Sequence, residues 1–266
     1  MNSSPAVVVA SAASTPRFRR ITLAVDDPEM LTVPTVADAT VGVYFGDEIG
    51  RSYSVRLVHP DGRKLDIEVF LHGTGPGTAW AQAASPGDRV RLDHPNGWYS
   101  PGSGVAWQLL AADASGLPAL CRILEELPAE VPAIVVAEIL DEEDLALLPA
   151  RPNHTLQIAL GGNGIQPSRL AFLVAETALP VGQGYCWCAG EAGQTRAVRK
   201  YLRSLGWGRE DYDITGYWRH DAAHWEARFA PVADEMMAVY RRARADGMSE
   251  QAAMEAVDEA LEREGL

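Results

Sequence analysis

Arg51-Ser52-Tyr53-Ser54-Val55-Arg56, taken with His72-Gly73-Thr74-Gly75-Pro76-Gly77-Thr78-Ala79-Trp80, decides how the rest of this chain is read. The first stretch alternates like a strand. It sets an arginine and an aromatic ring on one face and turns the Ser54 hydroxyl to the other. The second closes an alternating strand in a glycine-rich turn and opens a helix with Pro76 near its first turn. Backbone N–H groups at a helix start attract phosphate, and glycine lets a ligand approach the backbone closely. His72 and Thr78 can add donors. Together the two stretches suggest a site for a flat ring that carries phosphate. Each has a plainer reading as well: a surface strand with a half-buried tyrosine, and an ordinary turn with Trp80 anchoring the core.

On either side of these stretches the pattern stays β-like. Alternating segments at 17–25, 40–45, 65–71 and 89–92 are separated by turn signals such as Asp61-Gly62-Arg63 and Pro86-Gly87-Asp88. Short strands at this spacing predict a small antiparallel barrel over 16–105. The opening residues, 1–15, are rich in Ala and Ser and are expected to be a disordered tail. Residues 6–10 are apolar, but the run is short and no positive cluster precedes it, so no secretory signal is expected.

Beyond residue 106 the period changes. Apolar strands are predicted at 107–111, 133–139, 155–160, 185–189 and 214–218, with helices at 117–127, 167–177 and 195–205. That alternation predicts a doubly wound parallel sheet over 106–229. The exit of its first strand carries Asp113 and Ser115, at the carboxyl edge where such sheets bind ligands. The same two residues read equally well as a helix cap. Cys186 and Cys188 read as structural thiols of a buried strand, and their spacing, with Cys121 far away, is not a metal set. Arg196, Arg199, Lys200 and Arg203 either hold a nucleotide phosphate or form a solvated helix face. Residues 230–266 read as a helical extension. Val232, Met236, Met237 and Tyr240 form one stripe there, and Met254, Val257 and Leu261 form another behind a Ser249 cap.

Bulk properties narrow the partners. The chain has 266 residues, 47% hydrophobic and 22% charged, an ordinary globular composition. No apolar run approaches the ~18 residues that suggest a membrane span. A formal net charge of −13 argues against nucleic acid or an anionic membrane as a partner. Three cysteines, an odd number, imply no disulfide framework and fit a reducing cytoplasm.

In this order, RSYSVR, HGTGPGTAWA, PGDRV, WQLLAADASGLPAL, CWCAGEAGQTRAVRKYLRSLG and GYWR resemble the siderophore-interacting protein family, from about Pro16 to Arg219. The resemblance implies an FAD-binding barrel followed by an NAD(P)H-binding-like α/β domain. It also implies cytoplasmic release of iron by reduction of ferric siderophore, with electrons from NAD(P)H or ferredoxin. By match, Arg51, Tyr53 and Ser54 would meet the flavin phosphate, ring and N5 side. His72, Gly75, Pro76, Thr78 and Trp80 would lie on the phosphate side, and Asp113, Ser115 and Leu117 near the adenine. Gly190 and Glu191 would lie on the nicotinamide side.

The resemblance requires no catalytic side chain and no protein-bound metal, because the siderophore holds the iron. The chain departs from the family at three places. Ala114 replaces an acidic residue, Gln157–Leu160 lacks a basic one, and the 40–45 strand has no lysine. Arg219, then Lys200 and Arg203, are the expected substrate cations. Two other functions stay open: a flavoprotein that binds ferric siderophore without its own NAD(P)H site, and a flavin reductase for another acceptor.

Overall fold

The computed structural model describes residues 2–46, 49–73, 75–163 and 166–266, leaving aside the side chain of Gln251. By compactness the chain divides into residues up to Tyr217 and the segment Trp218–Leu266.

Six strands close a barrel in the first unit: β1 (Ser3–Thr15), β2 (Phe18–Val25), β3 (Thr40–Tyr44), β4 (Gly50–Val58), β5 (Lys64–Phe70) and β6 (Arg89–Asn96), in the order β1-β2-β5-β4-β3-β6. Every neighbouring pair is antiparallel. The barrel interior is filled by alternate residues such as Ile21, Leu23, Val41, Val43, Val55, Leu65, Ile67 and Leu92. The strand β1 corrects the expected tail. Its residues 6–15 pair with β2 and its residues 3–7 with β6, while Ser4, Ala6 and Val8 point inward. Small, Ala-rich residues carry little strand propensity of their own. Here two neighbouring strand edges supply the pairing, and closure leaves no edge unpaired.

The helix α1 (Pro76–Ala83) follows β5. After the barrel come β7 (Trp107–Ala112), α2 (Leu117–Glu126), β8 (Ala133–Ile139), β9 (His154–Leu160), α3 (Leu170–Glu176), β10 (Gly184–Glu191), α4 (Ala192–Ser204) and β11 (Tyr212–Trp218). The sheet order is β11-β10-β7-β8-β9, and the β10–β7, β7–β8 and β8–β9 pairs are parallel. The central strand β7 is buried along its whole length. Leu110 and Ala112 pack in the cluster that holds α2, and Trp107, Leu109 and Ala111 in the cluster that holds residues of α3 and α4. Helices therefore cover both faces, as a continuous apolar run requires. The helix α3 starts at Leu170, not at Pro167, because Glu138 accepts hydrogen bonds from Ser168 Oγ and the Arg169 N–H and holds the entry turn out of the helix.

The second unit holds α5 (Ala222–Phe229), α6 (Ala233–Ala245) and α7 (Glu250–Arg263). The first of these precedes the expected start of the extension at 230. Met236 and Leu261 are buried there with Val257 beside them, whereas Met237 and Met254, expected on the same stripes, are exposed. Ser249 Oγ accepts from the Ala252 N–H and caps α7.

Candidate functional site

The first half of the site forms where β4 faces the start of α1. A Cβ placed on Gly77 would lie 2.6 Å from Tyr53 Oη and 3.7 Å from Arg51 Cγ. Arg51 and Tyr53 therefore share the face of β4 that the alternation predicts, and that face lies along the first turn of α1. Only glycine fits under the tyrosine. Arg51 is exposed, and its Nη1 donates to the Gly50 carbonyl at 2.7 Å. Trp80 stacks on Phe45 at 4.8 Å and on Tyr53 at 6.0 Å, so one aromatic column supports the helix start. Burial pushes the Tyr53 phenol up to about 12 against the pull of Arg51, so it stays protonated.

The turn itself is open. Gly73 has a φ of +55°, and nothing lies within 4 Å of a Cβ built on Gly73 or Gly75. Thr78 accepts from the His72 N–H at 3.2 Å and donates to the His72 carbonyl at 2.9 Å, which staples the two ends together. Thr78 is thus committed to the turn, and Pro76 lies at the helix start. Thr74 lies outside the described residues. The His72 ring stacks on Phe70 at 5.2 Å. Partial burial lowers its pKa and the Asp113 carboxylate opposes that shift, so the turn lies within electrostatic reach of the α/β crevice.

The second half is the switch point between β7 and β10. Asp113 accepts from the Ser115 N–H at 2.9 Å, from Ser115 Oγ at 2.5 Å and from the Glu191 N–H at 2.9 Å. It ties the exit of β7 to the exit of β10. Between a cap and a ligand contact, the geometry gives Asp113 a clasp. A Cβ on Gly190 would meet its carboxylate at 2.8 Å, and one on Gly116 would meet the Ala189 carbonyl at 2.8 Å. Glu191 caps α4 by accepting from the Gln194 N–H at 2.9 Å. Leu117 is fully buried in the α2 core.

Arg199 and Arg203 of α4 are engaged along β11. Along α4, Ala192 and Thr195 lie against Gly216, Arg199 donates to the Ile214 carbonyl at 2.9 Å, and Arg203 donates to Tyr212 Oη at 2.9 Å. The helix runs antiparallel to β11, which carries Arg203 to the opposite end of the strand from Glu191. Lys200 is exposed, roughly 12 Å along the axis from Ala192. Arg219 stacks its guanidinium over Trp225 at 4.0 Å. Arg56, another cation near the first stretch, is buried and bonded to Glu125 of α2 at 2.6 Å. The thiols of Cys121, Cys186 and Cys188 are buried, and burial raises the pKa of each.

Three polar residues near these motifs escape a reading by periodicity. Asp38 precedes β3 and accepts from the Trp98 and Tyr99 N–H groups at 2.9 Å and from Trp187 Nε1 at 3.1 Å. Glu138 is an acid in the apolar run AIVVAEI; burial raises its pKa, with Ser168 and Arg169 acting against the rise. Tyr217, inside the GYWR stretch, has a buried hydroxyl oxygen without a hydrogen-bond partner. A buried donor without a partner is costly. The arrangement thus offers open backbone at Gly73 and Gly75, an adjacent arginine, an aromatic column and an unsatisfied hydroxyl near Ser54. These features fit a dinucleotide with a flat ring.

Comparison with known proteins agrees with that geometry. Residues 105–221 match the family model described as siderophore-interacting protein, and residues 46–99 match the one described as siderophore-interacting FAD-binding domain. The chain is 30% identical to the ferric vibriobactin reductase ViuB of Vibrio cholerae over 197 residues, 70% of this chain and 72% of that protein. A siderophore utilization protein from T. fusca is 28% identical, with a TM-score of 0.72 over 82% of this chain and 93% of that one. A ferredoxin NADP+ reductase from Neisseria gonorrhoeae, solved with bound FAD and NADP, shares the fold at 15% identity. Its TM-score is 0.63 over 82% of this chain and 100% of that one.

Proposed function

The chain belongs to the siderophore-interacting protein family, and from that premise we propose that it is an FAD-dependent reductase that releases iron from ferric siderophores. One observation carries the reading. The open, glycine-lined start of α1 lies against Arg51 and Tyr53 of β4, and Asp113 of the β7–β10 clasp acts on His72 of the same turn. Bound there, FAD would supply the conversion of paired electrons into the single electrons that ferric iron accepts. Arg51 and the N–H groups from Gly75 onward would neutralise its pyrophosphate. The column of Phe45, Trp80 and Tyr53 would hold the apolar ring system in place. The iron is substrate, carried by its own chelator, so the chain's task is to position the ring and keep water from its inner edge.

Flavin uptake tests this directly. Protein freed of cofactor and titrated with FAD is expected to bind it stoichiometrically. Arg51→Ala is expected to weaken binding by about tenfold to a hundredfold, the effect of losing a charge-assisted contact. A protein that takes up no FAD would end the proposal.

The electron donor divides two readings. NAD(P)H would approach the carboxyl edge of the sheet. The carboxyl groups of Asp113, Glu138 and Glu191 gather there; burial raises the pKa of Glu138, and the Asp113 charge adds to the rise. An acidic edge repels an anionic nucleotide, which favours a flavoprotein served by a separate donor such as a ferredoxin. Anaerobic mixing with NADPH, NADH or reduced ferredoxin, followed at the flavin absorption band, distinguishes the two. Bleaching by a pyridine nucleotide supports the first, and bleaching by ferredoxin alone supports the second. Arg219 remains the first cation to substitute when testing how an anionic siderophore is held.

A further inference from the structure

The reading above leaves the buried phenol of Tyr217 without a task. Tyr217 lies near the end of β11, and its ring packs against the α2 core cluster. Its oxygen is buried and completes no hydrogen bond. The hydroxyl that acts on it is that of Ser54, on the barrel strand β4, and the charges that act on it are Asp38 and Asp113. A phenol held among carboxylates in a buried place keeps its proton, and the raised pKa of Tyr217 agrees. It is therefore a permanent donor beside Ser54, which is itself 4% exposed. Leaving such a donor unpaired is costly unless a bound state completes the bond.

We propose that Tyr217 is a positioning residue for the flavin edge, acting through Ser54. The Tyr217 hydroxyl donates to Ser54 Oγ once ligand draws the serine into place, and Ser54 then turns its own proton toward the ring. The bond links the barrel to the last strand of the sheet, so the donor to the ring is set by both halves of the site. The inference rests on the FAD reading above and adds a residue to it.

The test combines Tyr217→Phe, Ser54→Ala and the double variant, each freed of cofactor and titrated with FAD. Tyr217→Phe removes one oxygen and no volume. It is expected to keep stoichiometric FAD uptake, to weaken affinity up to about tenfold, and to move the visible flavin band and midpoint potential in the direction that Ser54→Ala moves them. In the Ser54→Ala background the same change is expected to have no further effect on band, potential or affinity. A purely structural tyrosine would lower the melting temperature of the cofactor-free protein and leave band and potential alone. Unchanged band and potential, or equal effects in both backgrounds, would overturn the proposal. If Tyr217→Phe does not fold, fluorotyrosine at position 217 replaces it. As a stronger donor it is expected to move the band opposite to Ser54→Ala, and an unmoved band refutes the relay. Failure of the wild-type protein to take up FAD would instead refute the underlying reading.

Discussion

Gly75 and Gly116 both stand at the start of a helix, yet they are required for different reasons. A Cβ on Gly116 would meet a backbone carbonyl at 2.8 Å, and backbone does not give way as a flexible side chain does. Gly116→Ala is expected to cost about 1–3 kcal/mol of stability, read by urea unfolding. Gly75 has open space around it. Gly75→Ala is expected to change stability by less than about 0.5 kcal/mol and to weaken FAD uptake, because the methyl occupies the ligand's approach to the helix start. Equal loss of stability in both variants would refute the distinction. Both glycines stand out in the sequence, but their roles do not. The same holds for Leu117, assigned to the adenine side by resemblance and found in the core, and for Asp113, whose partner on Glu191 is 78 positions away.

Among the elements, β1 shows most clearly what local pattern misses. Its Ala and Ser residues match a tail by composition, and they become a strand because β2 and β6 would otherwise present bare edges. Removing residues 2–15 is therefore expected to abolish soluble, folded protein; a dispensable tail would leave expression and melting unchanged. The link from barrel to sheet is built the same way. Asp38 holds the N–H groups of Trp98 and Tyr99 and the indole of Trp187, and Ser100 N–H donates to Asp213 at 3.1 Å while Tyr185 Oη also bonds that carboxylate. These carboxylates anchor the link to both the sheet and the segment before β3. Other elements were legible from period alone. Ala133–Ile139 is a strand at the predicted bounds, because a buried parallel strand is apolar throughout.

For the whole molecule, three buried carboxyls set the pH response. Burial raises the pKa of Asp38, Glu138 and Asp144, and the hydrogen bonds each accepts only partly offset it. A carboxyl raised in the folded state contributes stability that is in place below its ordinary value, about 4, and is lost as pH rises through the raised folded value. The net charge of −13 acts in the same direction, since self-repulsion grows as acids ionise. Urea midpoints are expected to fall as pH rises from about 4 through that window, with a shallower fall in Asp38→Asn. A midpoint that rises with pH there would contradict the assignment. Local sequence is enough for whatever repeats over a few residues: the barrel and sheet periods, the glycine turn before α1, the placing of Arg51 and Tyr53 on one face of β4. The pairing of β1, the clasp of Asp113, the burial of Arg56 beneath α2 and the approach of Tyr217 to Ser54 arise only in the folded chain. Backbone periodicity is a property of neighbours along the chain. Burial and hydrogen-bond satisfaction depend on which distant segments arrive at the same place, and no short stretch carries that information.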